Sequence, residues 1–351
     1  MRLPLATKIF LGTALVVTVV LGAALLVTNR QANRAADASS SRAVVATQSA
    51  IRDALDGRSR ALLQLTRALV QVPVYVSRIG ESVRTGRRAD LLDQADELKA
   101  QTGADWVLIT DPGGVLQAWT YQRDQFDQDF SRGALIGRAL EGRTTSGMWI
   151  EPGPAGDELY QAVALPVTTP GSATTLAVVS AALRVDTALA NQLRRHTNSE
   201  ILFFSIDTLG LPQLAVSSLG GADVGRTIRA IPRDSVTASS QIRLAVGGKE
   251  YEGAIGRLTT ADSVPIAGFL GLHAREADIA AYHQLGRTIR SAFFIGLLLA
   301  LAFSLLAARH IARPVKRLVD ATRRVTEGEY TGKIEVASRD EIGDLAQAFG
   351  T

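Results

Sequence analysis

Few side chains in this sequence have the types and spacings that enzymes use. The chain of 351 residues contains no cysteine, which excludes disulfides, thiolate nucleophiles and cysteine-based metal sites. Its four histidines, His196, His273, His283 and His310, are too far apart in sequence to match a metal-binding motif. The motifs of serine hydrolases, zinc proteases, P-loop proteins and dinucleotide-binding enzymes do not occur. We therefore expect no catalytic residue, no metal and no cofactor.

A second group of side chains suits binding rather than catalysis. Aromatic rings, an arginine and a carboxylate can together enclose a polar small molecule in a concave pocket. The candidate ligand-binding residues are Trp119, Tyr121, Arg123, Trp149, Glu151 and Tyr160. The alternative for Trp149 and Tyr160 is an ordinary place in a hydrophobic core or on a sheet face.

The elements that carry these residues are predicted from the hydrophobic period. Two strands flank a turn of Asp111, Pro112 and two glycines, and there an aspartate is far more often a turn residue than a catalytic acid. A helical stretch beginning with a Ser131 cap and three further strands follow. The predicted ranges are 106–110 and 115–120 for the strand pair, 131–140 for the helix, and 145–150, 158–167 and 175–183 for the later strands. This succession is typical of a small α+β unit.

The same succession of elements then occurs a second time. Residues 136–140 are echoed by 224–228, and the segment beginning Glu158-Leu159-Tyr160 is echoed by the one beginning Glu250-Tyr251. The predicted strands of this second copy are 199–206, 213–217, 241–246, 250–258 and 265–273. The sequence therefore predicts a duplicated α+β unit over 75–285.

A long helix is predicted to lead into the first unit. Apolar residues from Val44 to Leu69 recur every three, four and seven positions, which is the period of one helix face, and Pro73 ends the helix. This stripe can pack on its own domain, pair with a second copy of the chain, or do both. A shorter helix is predicted over 88–101, and a helix-like segment from Glu276 to Arg290.

Two uncharged runs, 9–28 and 291–308, are long enough to cross a lipid bilayer. Basic residues flank both runs, and six arginines and lysines follow the second within sixteen positions of its end, which predicts a cytoplasmic side. The small net positive charge of +4 is explained by these flanks, so we expect no nucleic-acid partner. A cleaved signal peptide is the alternative for 9–28, although signal cores are usually shorter.

The segment after the second run carries a relay pattern. Arg313-Pro314-Val315-Lys316-Arg317-Leu318, Gly328 and Asp340-Glu341-Ile342-Gly343 together resemble a HAMP domain, the signal-relay module of bacterial membrane receptors. Apolar residues at heptad-like spacing predict two short helices that need a second chain to bury their seams, in a parallel four-helix bundle. The expected relay residues are Pro314, Val315, Leu318, Val325, Gly328, Ile334, Val336, Asp340, Glu341, Ile342, Gly343, Leu345 and Phe349. Because HAMP domains usually continue past Phe349, we expect a fragment or a truncated protein.

The duplicated unit and its leading helix precede this HAMP-like segment. In that setting they resemble a double Cache sensor, a pair of PAS-like modules found in receptors and sensor kinases. The expected fold class is α+β, with two PAS-like units on a long helix, between two transmembrane helices and before a truncated HAMP bundle. The expected divisions are a cytoplasmic N-terminus (1–8), a first span (9–28), a long helix (29–74), a membrane-distal unit (75–195), a membrane-proximal unit (196–288), a second span (291–308) and a HAMP domain (309–351).

The leading hypothesis is therefore a receptor for an unknown small molecule. We expect a parallel homodimer in the bacterial inner membrane, with an extracytoplasmic sensor, both termini in the cytoplasm and an unknown output domain or protein downstream. One alternative is the sensor part of a histidine kinase or nucleotide cyclase whose catalytic domain is missing. Another is an extracytoplasmic binding protein, which the second apolar run argues against.

Overall fold

The computed structural model of the protein describes residues 5–154, 156–169, 171, 174–221, 223–238, 241–274, 288, 291–306, 316, 319–320 and 323. Of these described residues, those between 38 and 274 belong to one compact unit, and those before 38 or after 278 belong to a second. The helices are α1 (Leu5–Val70), α2 (Pro73–Thr85), α3 (Arg88–Thr102), α4 (Ala134–Leu140), α5 (Thr187–Thr197), α6 (Asp223–Arg229) and α7 (Arg233–Ala238), and residues 291–306 are also helical. The strands are β1 (Trp106–Thr110), β2 (Leu116–Trp119), β3 (Thr145–Gly153), β4 (Gly156–Thr168), β5 (Thr175–Arg184), β6 (Glu200–Ile206), β7 (Pro212–Ser217), β8 (Gln241–Val246), β9 (Lys249–Thr259) and β10 (Pro265–Ala274).

The predicted duplication is confirmed by the sheet topology. Two five-stranded antiparallel sheets have the orders β2-β1-β5-β4-β3 and β7-β6-β10-β9-β8, so each strand of one has a counterpart in the other. We call the region from α2 to β5 the distal unit and the region from β6 to β10 the proximal unit. The α+β fold class with two PAS-like units is thereby confirmed.

A matched aspartate turn marks both copies. Asp111 Oδ1 accepts hydrogen bonds from the backbone N–H groups of Gly113 (2.8 Å) and Val115 (2.9 Å). Asp207 Oδ1 accepts from those of Leu209 (2.9 Å) and Leu211 (2.8 Å) in the same arrangement. Asp111 is therefore a turn residue, as the sequence indicated, and its counterpart Asp207 is a shared feature that the sequence comparison missed.

Helix α1 packs along both sheets. Its residues Ile51 and Leu55 join the core beside the proximal sheet, while Leu62 joins the core beside the distal one. Gln161 Nε2 on β4 donates to the Leu55 carbonyl at 2.9 Å, and Gln48 Nε2 donates to the Ile255 carbonyl on β9 at 3.0 Å. One face of each sheet is thus held against the same helix, which fixes the two sheets relative to each other.

The helix boundaries differ from the predicted ones in three places. Helix α1 is continuous from Leu5, through the predicted boundary at residue 29. Pro73 does not simply follow a helix end: it begins α2, since proline at the first helical position loses no helical hydrogen bond. The predicted Ser131 cap is wrong, because α4 begins at Ala134 after Gly133, while the Ser131 N–H donates to Asp129.

Several predictions fall outside the described residues. These include all thirteen expected relay residues between Pro314 and Phe349, most of the helix-like segment 276–290, and His283 and His310. Over the part of the chain that the structure describes, no helix reaches the combined length and hydropathy of a membrane span.

Candidate ligand-binding site

An aromatic cluster covers the face of the distal sheet that points away from α1. Strand pairing places Leu108 opposite Trp119 and Tyr160 opposite Trp149, and the pleat puts Trp106 on the same face as Leu108. Small residues, Ala162 and Ala182, lie between them on this face and leave room for the rings. The aromatic cluster, as we define it, comprises Trp106, Trp119, Tyr121, Phe130, Trp149 and Tyr160.

The rings of this cluster contact one another mostly edge to face. Trp106 is the centre, with ring centroids 5.9 Å from Trp119, 5.6 Å from Trp149 and 5.8 Å from Tyr160. Trp106, Trp119 and Tyr160 are almost fully buried, whereas Tyr121 and Trp149 are partly exposed at the rim. Such pairs add about 0.5–1.5 kcal/mol each beyond burial. The cluster is therefore a rigid patch with an accessible edge.

Two glutamates stand at that edge, on adjacent strands. Glu151 on β3 and Glu158 on β4 are register partners. Glu158 accepts hydrogen bonds from the hydroxyls of Tyr160 (2.7 Å) and Tyr121 (3.2 Å), and its other oxygen pairs with Arg184 at 2.7 Å. Its negative charge is thus compensated within the site.

Within the described ranges, Glu151 has no arginine partner of this kind. Its Oε1 accepts a hydrogen bond from the Trp149 indole N–H at 2.5 Å. Burial raises the pKa of the Glu151 carboxyl; the Trp149 hydrogen bond lowers it, and the charge of Glu158 raises it further. Burial also raises the pKa of Tyr121 and of Tyr160, so both phenols remain donors at neutral pH. The site therefore combines two tyrosine hydroxyls, both donating to Glu158, with the Glu151 carboxyl, whose pKa is raised.

Two indole N–H groups inside the cluster have no acceptor among the residues that the structure describes. These are the Nε1 atoms of Trp106 and Trp119, which are buried. An unsatisfied buried donor costs about 1–3 kcal/mol, so native structures rarely leave two side by side. This is the feature of the cluster that core packing does not explain.

Five of the six predicted ligand-binding residues are brought together here, and the sixth is held elsewhere. Trp119, Tyr121, Trp149, Glu151 and Tyr160 belong to the cluster or its rim. Arg123 instead makes a two-pronged ion pair with Asp96 on α3, at 3.2 and 2.9 Å. Its contacts are those of a surface ion pair between a loop and a helix.

Sequence reasoning missed three members of the site. Trp106 and Glu158 lie in predicted strands to which no role in binding was given, and Arg184 lies one residue beyond the predicted strand 175–183. The alternation of side chains along β4 could have indicated a role for Glu158, because Glu158 lies on the same face of the strand as Tyr160, two residues later. Arg184 could not have been found this way, since its contact with Glu158 depends on the pairing of β4 with β5.

Comparison with known proteins identifies the C-terminal segment. The HAMP domain family matches residues 306–351, three residues earlier than the start we expected. A HAMP domain following two PAS-like units is the organisation of a transmembrane signal-transduction protein.

Named relatives agree with this class. The chain is 39% identical over 75 residues to the signal transduction histidine-protein kinase BaeS of Escherichia coli, covering 21% of this chain and 16% of the relative. It is 42% identical over 55 residues to the sensor protein SrrB of Staphylococcus aureus, covering 16% of this chain and 9% of the relative. The chain thus spans less than a fifth of the length of either relative.

Solved structures similar to this fold are sensor regions. The periplasmic domain of Vibrio cholerae LuxQ is 14% identical with a TM-score of 0.40, over 66% of this chain and 99% of that one. The sensory domain of the Campylobacter jejuni chemoreceptor Tlp3 is 10% identical with a TM-score of 0.43, over 71% of this chain and 97% of that one. The Tlp3 domain has also been solved in complex with L-valine, at 9% identity, a TM-score of 0.43 and coverage of 71% and 96%.

Proposed function

We propose that this chain is the sensing and relay portion of a homodimeric receptor in the bacterial inner membrane. The observation that carries the proposal is the succession of a duplicated α+β unit and a HAMP domain in one chain. HAMP domains relay signals between an input and an output, so an α+β pair preceding one is expected to supply the input. The aromatic cluster is the surface of that pair best suited to recognition.

The proposed topology has two membrane passes, at 9–28 and 291–308, with residues 29–290 outside. It rests on the two uncharged runs and their basic flanks. Because the chain has no cysteine, single-cysteine variants give an unambiguous readout. In intact spheroplasts, a membrane-impermeant maleimide should label Ser49→Cys and leave Ser338→Cys unlabelled until the membrane is lysed. Equal labelling of both positions in intact spheroplasts would contradict two passes.

The proposed ligand is a polar small molecule that carries both a hydrogen-bond acceptor and a donor. The acceptor would satisfy the indole N–H groups of Trp106 and Trp119, and the donor would meet Glu151 and Glu158. Aromatic faces at the rim provide apolar contact around these polar groups. In this structure the rings fill the face, so binding requires Trp149 and Tyr121, the partly exposed members, to move aside.

A thermal-shift screen of polar small molecules against the full chain in detergent tests this site. A ligand raises apparent stability by mass action, by about 2.7 kcal/mol at a hundred times its dissociation constant. Tyr121→Phe and Glu151→Gln should each weaken the best hit about tenfold, and Arg143→Gln, in a surface ion pair with Glu141, should not. A hit that is insensitive to both site variants would place recognition elsewhere.

The proposed relay runs from β10 toward the second apolar run. Gly271 on β10 lies against α1 so closely that a Cβ atom there would be 2.6 Å from Thr47 Cγ2. Movement between α1 and β10 would therefore be transmitted to the residues after Ala274. In a receptor with its output intact, a charge at the heptad-like position, Val325→Glu, should lock or abolish output, while Val325→Ile should preserve it. An unchanged ligand response in Val325→Glu would contradict relay through the HAMP domain.

We also propose a parallel homodimer, supported by exposed apolar residues on α1. Val45 and Leu65 are 58% and 50% exposed despite lying on a helix whose other face is buried. A symmetric parallel pair brings identical positions together, so Val45→Cys should cross-link between chains under mild oxidation. Leu209→Cys, at an exposed turn position outside α1, is the control that should stay monomeric.

A second candidate is favoured by the named relatives. Both BaeS and SrrB are sensor proteins, and the former is a histidine kinase, so the output attached to this HAMP domain is proposed to be a kinase. The full-length protein in membrane vesicles should then incorporate phosphate from radiolabelled ATP on an acid-labile histidine. Absence of such labelling, with cyclase or methyl-accepting activity present instead, would favour another output.

A further inference from the structure

A basic cleft lies on the proximal unit, apart from the aromatic cluster. It has a volume of about 330 Å³ and is lined by Arg52, Arg257, Thr259, Ser263 and Pro265. Arg52 comes from α1, Arg257 and Thr259 come from β9, and Ser263 comes from the turn before β10. Three separate elements therefore converge on one concavity.

The charge in this cleft is uncompensated. In the part of the chain that the structure describes, Arg52 and Arg257 make no ion pair and no hydrogen bond, and no acidic residue lines the cleft. Asp262, the acid on the adjoining turn, is engaged by Arg138 of α4. Two like charges facing one cavity repel each other, and the distal unit avoids this by pairing arginines such as Arg184 and Arg123 with carboxylates.

The turn that supplies Ser263 is well defined. The N–H of Thr260 donates to the Val264 carbonyl at 2.9 Å, and the N–H of Ser263 donates to the Thr260 carbonyl at 3.0 Å. Ser263 adopts a positive φ of 64°, which is uncommon for a residue other than glycine. Its hydroxyl and that of Thr259 are the neutral donors of the cleft. The cleft wall thus combines a hydrogen-bonded backbone turn with two guanidinium groups and two hydroxyl groups.

The same turn contacts the distal unit. Ala261 packs against the core that contains the aromatic cluster, and its backbone lies so close to Gly147 of β3 that a Cβ there would be 2.5 Å from Ala261 N. Asp262 reaches Arg138 on α4. A group bound in the cleft would therefore touch the element that joins the two sensory units.

From this arrangement we propose that the cleft binds a small multivalent oxyanion, such as phosphate, sulfate or a di- or tricarboxylate. Guanidinium groups match oxyanions through paired, charge-assisted hydrogen bonds, and hydroxyls complete the shell. The volume lies at the small end of ligand pockets and is large enough for a hydrated phosphate or sulfate ion or for a di- or tricarboxylate. A bound anion neutralises the two arginines and clamps α1, β9 and the turn together.

Binding here is expected to stiffen the contact between the units and so to alter the response of the distal site. The inference is independent of what the aromatic cluster binds, because it concerns different residues on a different unit. The anion site can therefore be tested without any ligand for the distal unit.

Isothermal titration calorimetry on the full chain in neutral detergent is the direct test. The probes are inorganic phosphate and sulfate at pH 7.5, titrated at constant ionic strength against a chloride background. Wild type should show saturable binding of both probes, and Arg52→Gln and Arg257→Gln should each weaken it at least tenfold. Arg257→Lys keeps the charge but loses the planar fork, and should fall between wild type and Arg257→Gln.

The matched control is Arg243→Gln, which removes the same charge from the neighbouring strand β8, outside the cleft. It should bind both anions within twofold of wild type. If the control loses binding equally, the anions are attracted by general positive charge and the proposed site is wrong. The proposal is also wrong if wild type shows no saturable binding, or if Arg52→Gln and Arg257→Gln both bind as wild type does. Because Arg52 and Arg257 are exposed, these variants should keep the wild-type circular dichroism spectrum.

Discussion

The distal and proximal units share a sheet but differ in what covers its outer face. Both have the same strand order, the same aspartate turn and the same contact with α1. On the distal unit the outer face carries the aromatic cluster with Glu151 and Glu158 at its edge. On the proximal unit it carries mainly aliphatic residues such as Leu202 and Ile255, closed over by α6 and α7.

We propose that this difference separates a recognition face on the distal sheet from a structural face on the proximal sheet. Aliphatic side chains under two short helices are stabilised by burial alone. Among the described residues of this face, no buried polar group lacks a hydrogen-bond partner. The distal face has two indole donors without acceptors and a carboxyl group with a raised pKa. Duplication thus supplied one scaffold twice, and the residues on the outer face of each copy decide which outer face carries polar groups without a partner among the described residues.

The largest expected effect tests whether the two units unfold as one. Phe269→Ala in the proximal core and Trp106→Ala in the distal core should each cost about 3–5 kcal/mol, since both side chains are fully buried. All three tryptophans lie in the distal unit, so their fluorescence reports its unfolding alone. Because Met148 and Leu159 share a core with Phe269, Phe269→Ala should shift the tryptophan transition too.

Urea titrations followed by tryptophan fluorescence and by far-UV circular dichroism check this prediction. Leu209→Ala, at a proximal residue that is 66% exposed, is the control and should leave both curves unchanged. If Phe269→Ala lowers only the circular dichroism midpoint, the units unfold independently and the comparison concerns two separate domains.

The second prediction tests whether the matched aspartate turns of the two units contribute equally to stability. Asp111→Ala and Asp207→Ala each leave two backbone N–H groups without their acceptor, so each should destabilise the chain by about 1–2 kcal/mol. Asn at either position keeps the accepting oxygen and should cost less. Asp124→Ala, at an exposed loop position, serves as control. The free energy of unfolding of each variant is measured by chemical denaturation. If Asp111→Ala and Asp207→Ala lower it by clearly different amounts, the two turns have the same shape but contribute unequally to stability.

The smallest effect concerns pH and applies to the distal unit. Burial holds the pKa of Glu151 above its unfolded value, so the folded state keeps this proton longer than the unfolded state as pH rises. Stability from Glu151 is therefore full below the unfolded pKa and declines as pH rises through the folded pKa. Glu151→Gln should remove that decline, and the change in stability should be less than about 1 kcal/mol because the carboxyl is partly exposed to solvent.

Unfolding free energies of wild type and Glu151→Gln, measured from pH 4 to pH 8, give the comparison. The difference between the two proteins matters rather than either curve, because Asp207 has a lowered pKa from its backbone hydrogen bonds and contributes the opposite slope in both. A difference that does not change with pH would mean that Glu151 ionises normally in the folded chain.

Local pattern predicted most strands to within a few residues, and the reason is physical. Short apolar runs bounded by turn residues define β1 and β10, and alternation of polar and apolar residues defines β8, without help from the rest of the chain. Helix α2 was missed because Pro73 ends one helix and begins the next, two roles that look alike in sequence. The role of Arg123 was misjudged because its partner, Asp96, lies on a helix far away in the chain.

By itself, the sequence determined the duplicated α+β organisation, the HAMP segment and which residue types are available for binding. These follow from periodicity, turn residues and motif spacing, which are local properties of the chain. Only the tertiary structure decided that Trp106, Glu158 and Arg184 join the aromatic cluster and that Arg52 meets Arg257 across a cleft. Such contacts depend on strand order and helix placement, and those are set by the packing of the whole core.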